Sequence, residues 1–305
     1  MASIKCGWVG LGLSSKVGVT ASNSREFSFM SDILISAHDL LDRLASDAPP
    51  TVLDASLPNS PIAAHVPEDD RKIPGALEFD IERVFSDREA VFPHTLPLTE
   101  ALEEACQGLG LAPDDEIVIY DNRGVYSSPR AYWLLTQAGF KKVKLLDGGL
   151  PHWLSLSLPV QQGYSAPAPL PARPALQANE SVVSVDEVYD NIARQRFKLV
   201  DARSAERFSG AGPEPRPEFP SGHIPSSVNL PFTELLENGH FKSQEEISRL
   251  MRSRELDPSD HLTFSCGSGI TACIVWVAAE LAGYEHLSLF DGSWTAWVMS
   301  GRHES

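Results

Sequence analysis

The sequence predicts an α/β protein made of two tandem domains of one kind, each a parallel sheet flanked by helices. Three observations lead there. The 305-residue chain repeats itself: TVLDAS, RKIPGALEFDI, EIVIYDNRG and KLLDGGLPHWL in the first half are followed in the same order by KLVDAR, GHIPSSVNLPF, HLTFSCGSG and LSLFDGSWTAW in the second. Asp54 pairs with Asp201, Ile73 with Ile224, Asp121 with Cys266 and Asp147 with Asp291, at offsets of 147, 151, 145 and 144 residues. Within each half, short β-branched runs alternate with amphipathic stretches, the pattern of a parallel sheet covered on both faces. Between the halves lies LPVQQGYSAPAPLPARPALQANE, dense in Pro and Ala, which reads as an extended, semi-rigid linker.

Taken along the chain, residues 1–30 form a leader, 31–160 a first domain, 161–180 the linker and 181–305 a second domain. The leader carries Lys5, Lys16 and Arg25 among many serines with one acid, Glu26. That composition suits either a transit peptide or an extension upstream of a start at Met30. In the first domain the strands are TVLDA (51–55), EIVIY (116–120) and VKLLD (143–147), with helices over 36–44 and 129–138. In the second, FKLVDA (197–202), LTFSC (262–266) and LSLFD (287–291) are strands. Helices cover 184–194 and 243–252, with Ser184 and Ser243 as N-caps ahead of Glu187 and Glu246. A further helix, ACIVWVAAELA, ends at Gly283, a residue suited to the left-handed position past a helix end.

Composition narrows the function. With 42% apolar residues both domains can bury real cores, and the length allows about two ordinary domains. A net charge of -16 argues against nucleic acid or an anionic membrane as partner, since both call for clustered Lys and Arg. No apolar run approaches the ~20 residues of a membrane span. Four cysteines without a C-x-x-C pair make neither a disulfide framework nor a zinc site, and they point to a reducing compartment.

One of those cysteines sits where chemistry is expected. In TFSCGSGITACIVW, Cys266 lies at the carboxyl end of a buried strand, with a Gly-Ser-Gly turn leading into a helix. Ligands of open α/β sheets bind at that end. Converging loop amides and the positive helix end would stabilise an anion there and hold the thiol as the attacking thiolate. Gly267 and Gly269 would let the amides converge on sulfur. The competing reading makes Cys266 a small apolar residue at a strand end, as buried cysteines often are. Cys273, inside the apolar helix, and Cys106, in a helical pattern, read as structural, and Cys6 lies in the leader.

CGSGITA, HIPSSVNLPF, the ERF…EPRPEF segment and DGSWTAW together resemble the catalytic half of 3-mercaptopyruvate sulfurtransferases, members of the rhodanese superfamily. IPGALEFDI, VIYDNRGVYSSPRAYW and LLDGGLPHWL resemble that family's non-catalytic first domain. The resemblance implies that Cys266 takes up sulfane sulfur as a persulfide. Its loop, Gly267 to Thr271 with Ser268, Gly269 and Ile270 between, would cradle sulfur and substrate, and Arg207 and Arg216 would hold the substrate carboxylate. Relatives specialised for thiosulfate carry a basic Arg-Lys pair after the cysteine, whereas Gly267 and Ser268 match those that use 3-mercaptopyruvate. A guanidinium fork suits a planar carboxylate, although both arginines could also be ordinary surface residues and Ser268 a helix cap.

In many relatives the first domain reads His-Ile-Pro-Gly, and that histidine is proposed to relay protons with the loop serine. Here the position is Lys72, and an ammonium has no lone pair with which to accept a proton. A Ser-His-Asp relay is therefore not expected, and Asp69 or Asp70 would pair with Arg71 or Lys72. His223 reads as a turn residue. Asp121 occupies the place of Cys266 in the first repeat, and a carboxylate cannot be a sulfur nucleophile. Asp54, Asp147, Asp201 and Asp291 recur in both halves and read as structural, and Trp294 and Trp297 as packing.

The implied partners are a small-molecule sulfur donor and, as acceptor, thioredoxin, a low-molecular-weight thiol or cyanide. No metal or organic cofactor is called for, and the chain is expected to be cytoplasmic, as a monomer or weak homodimer, with mitochondria the alternative if the leader is a transit peptide. The rival functions are a thiosulfate sulfurtransferase and a non-enzymatic sulfur-carrier or interaction module. A related phosphatase would need an arginine six residues after the cysteine, where Ala272 stands.

Overall fold

The computed structural model describes residues 33–58 and 70–304. The leader over 1–30, Cys6 within it, and Asp69 lie outside the described residues.

The first domain runs β1 (Leu34–Ile35), α1 (Ala37–Leu44), β2 (Thr51–Asp54), β3 (Arg71–Lys72), β4 (Leu77–Glu78), α2 (Thr99–Leu109), β5 (Glu116–Tyr120), α3 (Ser128–Gln137), β6 (Lys142–Leu146) and α4 (Gly149–Ser155). Five of its strands stand in the order β1-β6-β5-β2-β4 as one parallel sheet. The segment read as a linker is tied to this domain. Its strand β7 (Gln161–Gln162) pairs antiparallel with β3. Further along, the amides of Leu170 and Gln177 donate to the carbonyls of Gln107 and Ala138.

The second domain runs α5 (Val185–Arg194), β8 (Lys198–Asp201), α6 (Ala205–Ser209), β9 (Val228–Asn229), a hairpin of β10 (Leu236–Glu237) and β11 (His240–Phe241), α7 (Gln244–Ser253), β12 (Leu262–Ser265), α8 (Ala272–Leu281), β13 (Leu287–Leu289) and α9 (Ser293–Met299). Its parallel sheet has the order β13-β12-β8-β9. The central strands β5 and β12 are buried nearly throughout, which is why they read as continuous apolar runs rather than alternating ones. Among the described residues no helix is long and apolar enough to cross a membrane.

Local chemistry sets the helix ends. Ser184 and Ser243 each close a full capping box with Glu187 and Glu246, satisfying donors that the first turn leaves orphaned. Gly283 takes φ +84° just past α8, a conformation glycine adopts without a Cβ penalty.

Helix α3 departs from the amphipathic expectation: Ser128 through Leu135 are all buried. The physical reason is the interface between the domains. α3 and α8 follow equivalent strands of the two repeats and pack against each other, with Trp133 meeting Trp276 edge to face at 6.3 Å. A single apolar cluster contains residues of both domains, from Leu53 and Ile117 to Phe264 and Val277. A helix covered on one side by its own sheet and on the other by its counterpart has no face left for polar residues. The two sheets therefore sit on a shared core, and the ends of their central strands face one cleft.

Candidate active site

The strand-loop-helix unit from β12 to α8 places Cys266 at the bottom of this cleft, 2% exposed. The N–H of Gly269 donates to Cys266 Sγ at 3.1 Å. The Cys266 backbone is pinned on both sides, its N–H donating to Ser293 Oγ at 3.1 Å and its carbonyl accepting from the N–H of Trp294 at 3.0 Å. Gly269 has φ +86°, and a Cβ there would stand 3.0 Å from Asp291. At Gly267 the crowding partner is the Arg207 guanidinium, 3.1 Å from where a Cβ would lie. This glycine therefore also leaves room for a cation beside the loop.

Arg207 and Arg216 both line the pocket, together with Ser268, Ile270 and Thr271. Arg207 comes from α6, whose N-cap Ser204 and closing Gly210 make it a short, well-ended turn. Its guanidinium donates through Nε at 3.1 Å and Nη2 at 2.5 Å to Glu214. Glu214 is held in turn by Arg203, itself fully buried, paired with Asp201 and stacked over Trp294. Arg216 donates to Thr295 Oγ1 at 3.3 Å, and that hydroxyl donates to the carbonyl of Gly267 at 2.7 Å. Both arginines are thus half-buried pocket residues, not solvated surface ones, and Arg207 has one edge of its fork held by Glu214.

A histidine the sequence reading passed over completes the site. His94 Nδ1 lies 3.1 Å from Ser268 Oγ, and its Nε2 faces Glu82 Oε1 at 3.7 Å, beyond direct hydrogen-bond length. Burial, followed by the nearby charges of Arg130 and Arg216, pushes His94 down to about 4. At neutral pH the ring is therefore an uncharged imidazole. Burial, with Asp80 adding to it, raises Glu82 above the ordinary carboxylate range. Ser268 and His94 thus form a pair, with Glu82 near the ring but out of hydrogen-bond reach and the histidine drawn from a different part of the first domain than Lys72. The sequence carried one signal for it. The repeat offset falls from 151 at Ile73 to 145 at Asp121, so the first repeat holds six extra residues in the stretch that contains His94.

The other singled-out residues find their places elsewhere. Lys72 stands 3.3 Å from Asp54 and 4.8 Å from the ring of Tyr164, among residues that do not line the Cys266 pocket. His223 stacks on Phe208 and contacts its carbonyl, a turn role as expected. Asp54 and Asp201 accept hydrogen bonds from the amides two residues on. Asp147 and Asp291 differ from that local pattern, each crossing between the domains, Asp147 to His240 at 3.0 Å and Asp291 to Arg130 at 2.6 Å. Trp297 is core, while Trp294 forms part of the pocket wall. Burial pushes the thiols of Cys106 and Cys273 up to about 12.

A family model described as a rhodanese-like domain matches this chain twice, over residues 36–156 and 184–300. The chain belongs to the rhodanese family. Mouse 3-mercaptopyruvate sulfurtransferase is 41% identical to it over 280 residues, covering 89% of this chain and 93% of the mouse protein. Chicken thiosulfate sulfurtransferase is 36% identical over 250 residues, 81% of this chain and 85% of the other. The crystal structure of Escherichia coli SseA, described as a 3-mercaptopyruvate sulfotransferase, superposes with a TM-score of 0.75 at 30% identity, covering 86% of this chain and 98% of that one. With sulfurtransferases matched along most of its length, this rhodanese is a sulfurtransferase.

Proposed function

We propose that this rhodanese moves the sulfur of 3-mercaptopyruvate through a persulfide on Cys266 to a thiol acceptor, releasing pyruvate. The observation that carries the reading is the neutral Gly267-Ser268 step beside Cys266, with Ser268 hydrogen-bonded to uncharged His94 and two arginines lining the same pocket. A thiosulfate dianion would gain from cations on the loop itself. A keto acid with one carboxylate gains from guanidinium forks set to one side and a hydroxyl at the reacting end.

In this reading Arg207 and Arg216 hold the carboxylate, and the Cys266 thiolate, steadied by the Gly269 amide, attacks the substrate sulfur. A new S–S bond forms as the C–S bond breaks, and its electron pair passes into the enolate of pyruvate. The proton of the substrate thiol passes by way of the Ser268 hydroxyl to His94 Nδ1 and returns to the enolate carbon, giving pyruvate and leaving a persulfide anion on Cys266. An acceptor thiolate then attacks the outer sulfur, forms its own persulfide and restores Cys266. Thioredoxin, a small thiol or cyanide would serve as acceptor. A cytoplasmic setting suits a catalytic thiol, because glutathione and thioredoxin keep thiols reduced there.

The test is a pair of initial rates on the purified chain: pyruvate released from 3-mercaptopyruvate, and thiocyanate formed from thiosulfate plus cyanide. The expected result is a kcat/KM at least about tenfold higher for mercaptopyruvate, a difference in transition-state binding that one well-placed charge or hydrogen bond supplies. A preference for thiosulfate would overturn the donor assignment, and silence on both would overturn the enzymatic reading.

A further inference from the structure

We infer that Arg130 and Asp291 form a positioning pair for sulfur transfer, clamping the backbone at His94 and just after it so that Nδ1 is presented to Ser268. The inference rests on the relay proposed above. Arg130 comes from α3 of the domain without the cysteine, and it is fully buried. One arm of its guanidinium donates to Asp291 Oδ1 at 2.6 Å, and the other donates to the carbonyl of His94 at 2.6 Å. The second carboxylate oxygen of Asp291 accepts the N–H of Leu96, again at 2.6 Å. A single ion pair thus grips the chain at His94 and two residues later.

The grip falls where the backbone needs it. His94 has φ +61°, a left-handed conformation that residues with a Cβ adopt uncommonly and at some energetic cost. The same pair borders the other half of the site. A Cβ at Gly269 would lie 3.0 Å from Asp291 Oδ1 and 3.2 Å from Arg130 Nη1, and the Gly269 amide is the one that donates to Cys266 Sγ. Joining two domains does not by itself call for a buried ion pair, since apolar residues of similar size often do as well or better. What they cannot supply is a fork that reaches a carbonyl and a carboxylate at once.

The experiment uses the full chain and two variants. Arg130→Met/Asp291→Leu removes the clamp without leaving an orphan charge. Arg130→Lys keeps a charge for Asp291 and loses the second arm, so the test stands even if the paired variant fails to fold. The kcat and KM for pyruvate release are measured with saturating 2-mercaptoethanol as acceptor, each variant alone and combined with His94→Ala. The expected result is a fall in kcat of about 10- to 100-fold with KM within about threefold, the size of a weakened acid-base contribution. Added to His94→Ala, the same changes cost less than about twofold, because residues that act through one group are not additive. A near-normal kcat in a folded variant overturns the inference, as does an undiminished loss in the His94→Ala background. Failure of the relay itself shows separately: His94→Ala alone would keep wild-type kcat, and the inference would fall with it.

Discussion

At the same point of its two repeats the chain places Asp121 in one domain and Cys266 in the other, each after a buried central strand and before an interface helix. The Asp121 carboxylate is saturated. One oxygen accepts the N–H of Arg123 at 2.9 Å, and the other accepts the amides of Tyr126, Ser127 and Ser128 and the Ser128 hydroxyl, all within 3.0 Å. Cys266 sulfur receives the Gly269 amide at 3.1 Å. The first loop is an anion receptacle of the kind formed where a strand turns into a helix, and the second stands at the equivalent place. In the first, the chain's own carboxylate fills the receptacle and turns it into a structural lock. In the second, a sulfur atom takes that place and faces a pocket with Arg207, Arg216 and Ser268 on its walls. One geometry serves stability in one domain and, in the function proposed above, exchange chemistry in the other.

Substitutions at the two positions should therefore fail in opposite ways. The largest effect is expected for Cys266→Ser, which should lower the rate of pyruvate release by at least about 1,000-fold, since removing a nucleophile costs most of the catalysis. Cys273→Ser and Cys106→Ser should stay within about threefold, because burial keeps those thiols protonated. Asp121→Ala should do the reverse. Urea unfolding should show a loss of about 3 kcal/mol, from several buried amides left without an acceptor, while kcat/KM in the folded protein stays within about threefold.

A smaller effect would sharpen the comparison of the two helices. At the 145-residue offset Leu135 of α3 corresponds to Glu280 of α8. Burial pushes Glu280 up to about 7, against the opposing influence of Trp276 and Tyr132. The folded state then holds this proton more tightly than the unfolded chain, so stability is lost as pH rises from about 4.5 through 7. Glu280→Gln should remove that loss. At pH 8 the variant should be more stable by up to about 3 kcal/mol, with the gap closing below pH 4.5, as followed by urea midpoints across pH. A gap that is constant with pH would contradict the assignment.

Much of this was legible in the sequence because it is local or repeated. The strands, the capping boxes at Ser184 and Ser243 and the Cys266 loop are written in neighbouring residues, and the shared order of motifs gave the domain pair. Arg207 and Arg216 were found through resemblance, and the fold brings both into the cysteine's pocket. What was not legible depends on how the domains meet. His94 is 174 residues from Ser268, in a loop with no periodicity, and no short motif links the two. Lys72 drew attention because it stands at a family position, yet its charge is spent on Asp54. Arg130 was not singled out, because it lies in a stretch that reads as an ordinary amphipathic helix and only the opposing domain makes its face an interior. Asp147 and Asp291 recur in both halves just as Asp54 and Asp201 do, but the pairing that distinguishes them crosses between domains.

The most direct test of the central claim is peptide mass spectrometry of the wild-type chain after exposure to 3-mercaptopyruvate without any acceptor. The account predicts one added sulfur atom on the peptide that carries Cys266, at the residue itself on fragmentation, discharged when a thiol is supplied. Pyruvate release with the added sulfur on Cys273 or Cys106, or with no sulfur on the protein at all, would contradict it.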